Sequence, residues 1–89
     1  MSQEHYLNHP NFGLLFRVCL VDVNRELFTT LYAQRLFFLV ANGQEGLEFE
    51  PMPRTDARIL VESRLRTLRR AGAHHDYDHL QEIYKQTFQ

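Results

Sequence analysis

The sequence predicts a small β-domain over residues 1–53 followed by a hairpin of two helices over residues 54–89. Three observations lead there. Apolar runs of strand length, separated by turn residues, fill the first part. Pro51-Met52-Pro53 then stops the sheet, because proline has no N–H to donate to a ladder and restricts the residue before it. Beyond it, apolar residues recur at three- and four-residue spacing, the period of a helix buried on one side.

Taken in order, Phe12 to Val23 is a long apolar stretch, and the polar turn Asp22 to Glu26 leads into Leu27 to Tyr32. Leu36 to Ala41 runs into the turn Asn42-Gly43-Gln44-Glu45-Gly46, and Leu47-Glu48-Phe49-Glu50 alternates apolar and charged as a half-buried strand does. The residues thus predict a meander of about four strands. Leu31 to Leu39 would also suit a helix, and its reading as strand rests on its neighbours. In the tail, Thr55 is read as an N-cap with Asp56 in the first turn, Ala57, Leu60, Val61, Leu65 and Leu68 as a buried stripe, and Gly72 as the stop. After Ala73-His74-His75, Asp76 is read as the cap of a second helix whose stripe is Tyr77, Leu80, Tyr84 and Phe88, with Ile83 beside it. Ile59 and Arg64 break the first stripe's pattern, Ile59 toward the polar side and Arg64 inside the stripe. The two stripes predict helices that pack mostly on each other, and a β-domain that folds without them.

The β-part holds more apolar side chains than one buried face needs. Strict alternation puts Phe12, Leu14, Phe16, Val18 and Leu20 on one face of the first run, yet Leu15, Cys19 and Val21 occupy the other. The third run likewise sets Leu36, Phe38 and Val40 against Phe37 and Leu39. A meander with one wet face alternates cleanly, so part of the second face must be covered by the helices or by a partner. Phe16, Phe28, Phe37 and Phe49 read as core. Tyr32, beside Gln34 and Arg35, sits instead in a polar interruption between apolar runs, and Tyr and Arg are enriched at the energetic centres of interfaces.

Size and charge narrow the function. A chain of 89 residues supports one small core, and a deep catalytic cleft needs more scaffold than that, so a binding protein is expected rather than an enzyme. Ten basic and eleven acidic side chains leave a net charge of -1, with no overall attraction to nucleic acid or anionic lipid. Cys19 is the only cysteine, so no internal disulfide forms. Met1-Ser2-Gln3-Glu4-His5 lacks the order of a signal peptide, and the longest apolar run, Leu36 to Ala41, is far below the roughly 20 residues that span a bilayer, so a cytoplasmic location and no membrane contact are expected. His5 and His9, and His74, His75 and His79, lack the paired cysteines of a structural zinc site, and neither a metal nor a cofactor is expected. Phosphate-cradling loops and nucleophile elbows do not occur, and Glu48 and Glu50 read as solvated. The runner-up function is RNA binding by a small barrel through Arg58, Arg66, Arg69 and Arg70, but Asp56 and Glu62 interrupt that basic patch.

Several blocks resemble a known family. Tyr6-Leu7-Asn8-His9-Pro10, Phe12-Gly13-Leu14-Leu15 and the ten residues Leu31 to Val40 are similar to the PipX family of cyanobacterial PII-interacting proteins. Arg64-Leu65-Arg66, Leu68-Arg69-Arg70 and Lys85-Gln86-Thr87-Phe88 resemble that family's two C-terminal helices, whereas Phe16 and the His74-His75 link depart from its pattern. The resemblance implies a Tudor-like (SH3-like) β-barrel domain of five strands over about residues 1–53, one strand more than the residues predict, and a helical hairpin over 54–89. It further implies a non-enzymatic adaptor in nitrogen regulation. Such a protein coactivates the dimeric transcription regulator NtcA, is sequestered by the PII trimer when 2-oxoglutarate is low, and binds no small molecule itself. The partner contacts the resemblance carries over are Glu4, Tyr6, Phe12, Tyr32, Gln34, Arg35, Leu36 and Phe38.

Overall fold

Each apolar run of the first part becomes an antiparallel strand, and the computed structural model describes residues 6–31 and 36–89. The strands are β1 (Tyr6–His9), β2 (Gly13–Leu20), β3 (Arg25–Thr30), β4 (Phe37–Gly43) and β5 (Gly46–Met52), followed by α1 (Arg54–Arg70) and α2 (His74–Phe88). They form one sheet in the order β1-β2-β3-β4-β5. The strand beyond the residue-based reading is β1, whose four residues before Pro10 are too short for a visible alternation. The sheet curls into a half-barrel, bringing the His9 ring of β1 edge-on to Phe49 of β5 at 4.9 Å between centroids. Gly43 pairs with Gly46 across the β4–β5 turn, and Gly46 takes φ 119°, which only glycine adopts without strain.

A bulge in β2 decides which residues face where. Arg17 pairs with Phe28 and Cys19 with Leu27, so Val18 is an extra residue between them. Beyond it the alternation reverses. Val18 and Cys19 are both buried against the helices, while Leu20 lies opposite Glu26 on the other face. The series Phe12 to Leu20 therefore does not share a face, contrary to strict alternation. Beta4 alternates as expected: Phe38 and Val40 join Leu15 and Phe28 inside the curl, and Phe37 turns to the helices.

Both sheet faces are thereby covered from within the chain. Leu15, Phe28, Phe38 and Val40 form a cluster inside the curl, with Leu7 and Phe49 packed against it. On the other face Val18, Cys19, Leu27 and Phe37 share one cluster with Ala57, Val61, Leu65 and Leu68 of α1 and Leu80, Ile83, Tyr84 and Phe88 of α2. The two helices thus pack chiefly on each other, as their stripes predict, and together they close this face of the sheet. Phe88 stacks on Phe37 at 5.4 Å, and the Arg54 guanidinium lies 5.2 Å from the Phe88 ring centre.

The helix stops follow the sequence better than the starts do. Gly72 at φ 71° ends α1, with Gly72 N–H donating to the Arg69 carbonyl and Ala73 N–H to the Leu68 carbonyl, the Schellman pattern. The starts need correction. The Pro53 carbonyl already accepts from Ala57 N–H, so Pro53 and not Thr55 is the N-cap, and Ala73 rather than Asp76 caps α2. Neither cap contributes a side-chain hydrogen bond. The helices are tied by Tyr84, whose hydroxyl donates to Glu62 Oε2 at 2.5 Å and accepts from Arg58 Nε at 3.3 Å. The bond from Tyr84, and after it the one that Arg58 Nε donates to the same Glu62 oxygen at 3.2 Å, hold the Glu62 carboxyl below its ordinary range.

Burial pushes the Cys19 thiol from its ordinary 9.0 up to about 12, and the nearby Arg64 and Arg17 offset this only in part. In the unfolded chain the thiol ionises at the lower value. Its contribution to stability is therefore intact below about pH 9 and is lost as pH rises toward about 12. The urea midpoint of the native chain is expected to fall more steeply over that interval than that of Cys19→Ala. Parallel pH profiles would show that the thiol is not protected.

Candidate functional site

With both faces covered, the exposed large apolar side chains among the described residues are Val23, Leu47 and Ile59, and four that line two clefts at the ends of the Leu31 to Leu36 connection. Tyr6, Phe12, Leu31 and Leu36 are 46%, 47%, 39% and 40% exposed, far above the core phenylalanines. Phe12 and Leu36 line a shallow cleft of about 420 Å³ with Phe37, Phe38, Pro51, Met52 and Pro53. Tyr6 and Leu31 line a second groove of about 460 Å³, between the sheet and α2, whose polar wall includes His79, Glu82 and Gln86. The chain leaves the sheet at Leu31, on the rim of one groove, and returns at Leu36, on the rim of the other.

Buried threonines fix the neck between these two points. Thr29 and Thr30 are 3% and 6% exposed. Thr29 Oγ1 donates to the Leu36 carbonyl at 2.9 Å, and Thr30 N–H donates to the same carbonyl at 3.0 Å. Leu36 N–H in turn donates to Thr30 Oγ1 at 3.0 Å, while Leu31 N–H reaches the Leu14 carbonyl at 3.2 Å. Threonine suits this work because its methyl packs in the sheet while its hydroxyl serves the backbone.

On the other side of the cleft, the β1–β2 turn sets Phe12. His9 Nδ1 accepts from Asn11 N–H at 3.0 Å and from Phe12 N–H at 3.3 Å. Its ring lies 5.0 Å from Phe12 and stacks on Phe38 at 5.4 Å, and Phe12 in turn lies 5.3 Å from Phe38.

Of the residues proposed from sequence, Phe12, Leu36 and Phe38 come together in one cleft. Phe38 is only 4% exposed, so it is the floor beneath Phe12 rather than a contact in its own right. Tyr6 stands apart from them, beside Phe16 at 5.8 Å on the helix side of the sheet. Glu4, Tyr32, Gln34 and Arg35 lie outside the described residues. Leu31 and the two threonines were missed, and the only signal for them was their place at the ends of the Tyr32 block. Elsewhere Ile59, which broke the helical pattern, is 58% exposed as its position implied. Arg64 is half-buried and lines a cleft of about 290 Å³ with Arg17, Asp76 and His79. Of the Arg-rich face, Arg58 is engaged by Glu62 and Tyr84, leaving Arg66, Arg69 and Arg70 exposed. No described helix is long and apolar enough to cross a membrane.

A curled five-stranded sheet followed by two helices, with an apolar rim around the Leu31 to Leu36 connection, agrees with a family match over residues 3–88 to the model described as PipX: PII-interacting protein X. The chain belongs to the PipX family. No curated protein matches it significantly. PipX is a family of PII-interacting regulatory proteins and not of enzymes, and the match extends over the sheet and both helices alike. The PipX chain is thus a PII-interacting protein built as a small half-barrel with a docked helical hairpin.

Proposed function

We propose that this PipX chain is a cytoplasmic adaptor that presents one rim by turns to PII and to NtcA, as a coactivator of NtcA. At low 2-oxoglutarate the PII trimer sequesters it, and at high 2-oxoglutarate it is released to the NtcA dimer. The observation that carries the reading is the convergence of Phe12 and Leu36 over Phe38, next to the connection that holds Tyr32, Gln34 and Arg35. Apolar anchors flanked by Tyr and Arg make the centre of a protein interface, and a rim this small cannot serve two large partners at once.

Mutual exclusion makes the switch a matter of mass action. A ligand that lowers only PII's affinity moves the shared chain to NtcA without touching it. In a mixture of the three proteins, adding 2-oxoglutarate with ATP is expected to transfer the chain from PII to NtcA, as followed by size-exclusion chromatography. The spectrum of the isolated chain should not respond to either compound. A ternary complex in which PII and NtcA hold one copy, or saturable 2-oxoglutarate binding by the isolated chain, would overturn the scheme.

A further inference from the structure

The chain solves the same local problem twice with different chemistry. In the β2–β3 turn, Asp22 Oδ1 accepts from Asn24 N–H at 2.9 Å and Arg25 N–H at 3.0 Å, two and three residues on. In the β1–β2 turn, His9 Nδ1 accepts from Asn11 N–H and Phe12 N–H at the same two offsets. A carboxylate keeps its lone pairs across the physiological range. An imidazole offers a lone pair at Nδ1 only while it is neutral, since both ring nitrogens of the cation are donors.

We propose that His9 is the positioning residue of the partner rim, holding Phe12 in place through its neutral Nδ1 and releasing it on protonation. This rests on the reading of the rim as the PII contact. Phe12 is half exposed in the cleft with Leu36, and its own backbone N–H is one of the two that His9 accepts. A proton on Nδ1 turns that acceptor into a donor facing two donors, so both hydrogen bonds are lost together. The ring itself stays where it is. Phe12, Phe38 and Phe49 surround it within 5.0, 5.4 and 4.9 Å, and aromatic faces still attract the cation. Protonation therefore loosens the turn and Phe12 without opening the half-barrel.

Among the described residues, few charges face this ring. On β1 and β4 the residues that share its face are Leu7, Phe38 and Val40, none of them titratable, while on β2 and β3 Leu15 and Phe28 are accompanied on that face by Arg17, opposite Phe28, and Glu26, opposite Val40. On β5, Glu48 and Glu50 flank Phe49 but follow the opposite register, Glu50 lining the groove beside α1. Arg17 and Glu26 of β2 and β3 lie 2.7 Å apart, their charges opposed to each other. His9 is half-buried, so protons reach it.

The test compares the full-length native chain with His9→Asn and His9→Phe, measuring PII affinity from about pH 8 to about pH 5. Asparagine places an acceptor oxygen where Nδ1 stands but cannot titrate, and phenylalanine keeps a ring but accepts nothing. The native chain is expected to weaken by about tenfold across the range relative to His9→Asn, which binds somewhat less tightly at the upper end but has no such slope. His9→Phe should be weaker than native by about tenfold at about pH 8 and equally flat. Titration of PII itself is common to all three and cancels in the comparison. In parallel, the Asn11 and Phe12 amide resonances of the isolated native chain should move with the midpoint of the His9 ring signals. Amides that ignore the His9 titration, or a native slope shared by His9→Asn, would overturn the proposal. Failure of the native chain to bind PII at any pH would count against the rim reading, and the amide titration would still decide the role of His9.

Discussion

A chain ending at Pro53 is expected to lose its cooperative unfolding transition and the dispersion of its amide spectrum. The truncation strips the helix-facing cluster of every residue from α1 and α2, leaving Val18, Cys19, Leu27 and Phe37 uncovered. Full burial of an apolar side chain of this kind contributes about 1.5 to 3 kcal/mol. The whole stability of a domain is about 5 to 15 kcal/mol, and a chain of this length sits toward the lower end. The cluster inside the curl survives the cut, but four buried residues with two packed against them are too few to carry the sheet alone. We propose, accordingly, that the boundary at residues 53 and 54 separates two kinds of secondary structure within one folding unit. A truncated chain with a dispersed spectrum and a sharp urea transition would restore the independent β-domain predicted from the helix stripes.

Tyr32→Ala is expected to weaken binding to PII by about 2 kcal/mol or more, roughly thirtyfold, and to weaken NtcA binding comparably. Tyr32 follows Leu31, whose N–H is bonded to the Leu14 carbonyl, and the connection closes on the carbonyl of Leu36, held by Thr29 and Thr30. The urea midpoint of the variant is the control that separates a lost contact from a lost fold, an unchanged midpoint being expected if Tyr32 acts as a contact. Calorimetry on both partners checks the effect. Unchanged affinity for either one would mean that the two do not share this rim.

What the sequence determined by itself is what local rules govern. A helix repeats every few residues and needs no knowledge of the rest of the chain, so both stripes, the Gly72 stop and the exposure of Ile59 were legible. The surplus of apolar side chains was legible too, whereas Tyr32, Gln34 and Arg35, proposed from sequence as contacts, lie outside the described residues. What only the tertiary structure decided is where that surplus goes. One inserted residue at Val18 reverses the face of everything after it in β2, and no residue type announces a bulge. The curl that joins His9 to Phe49 closes one sheet face, and of the two covers expected for the other, helices or a partner, the hairpin supplies it, leaving Phe12 and Leu36 exposed over one cleft. The same distinction applies to His9. In the sequence it is one histidine among five, and only a turn that brings two backbone N–H groups to one ring nitrogen gives it work that depends on its charge.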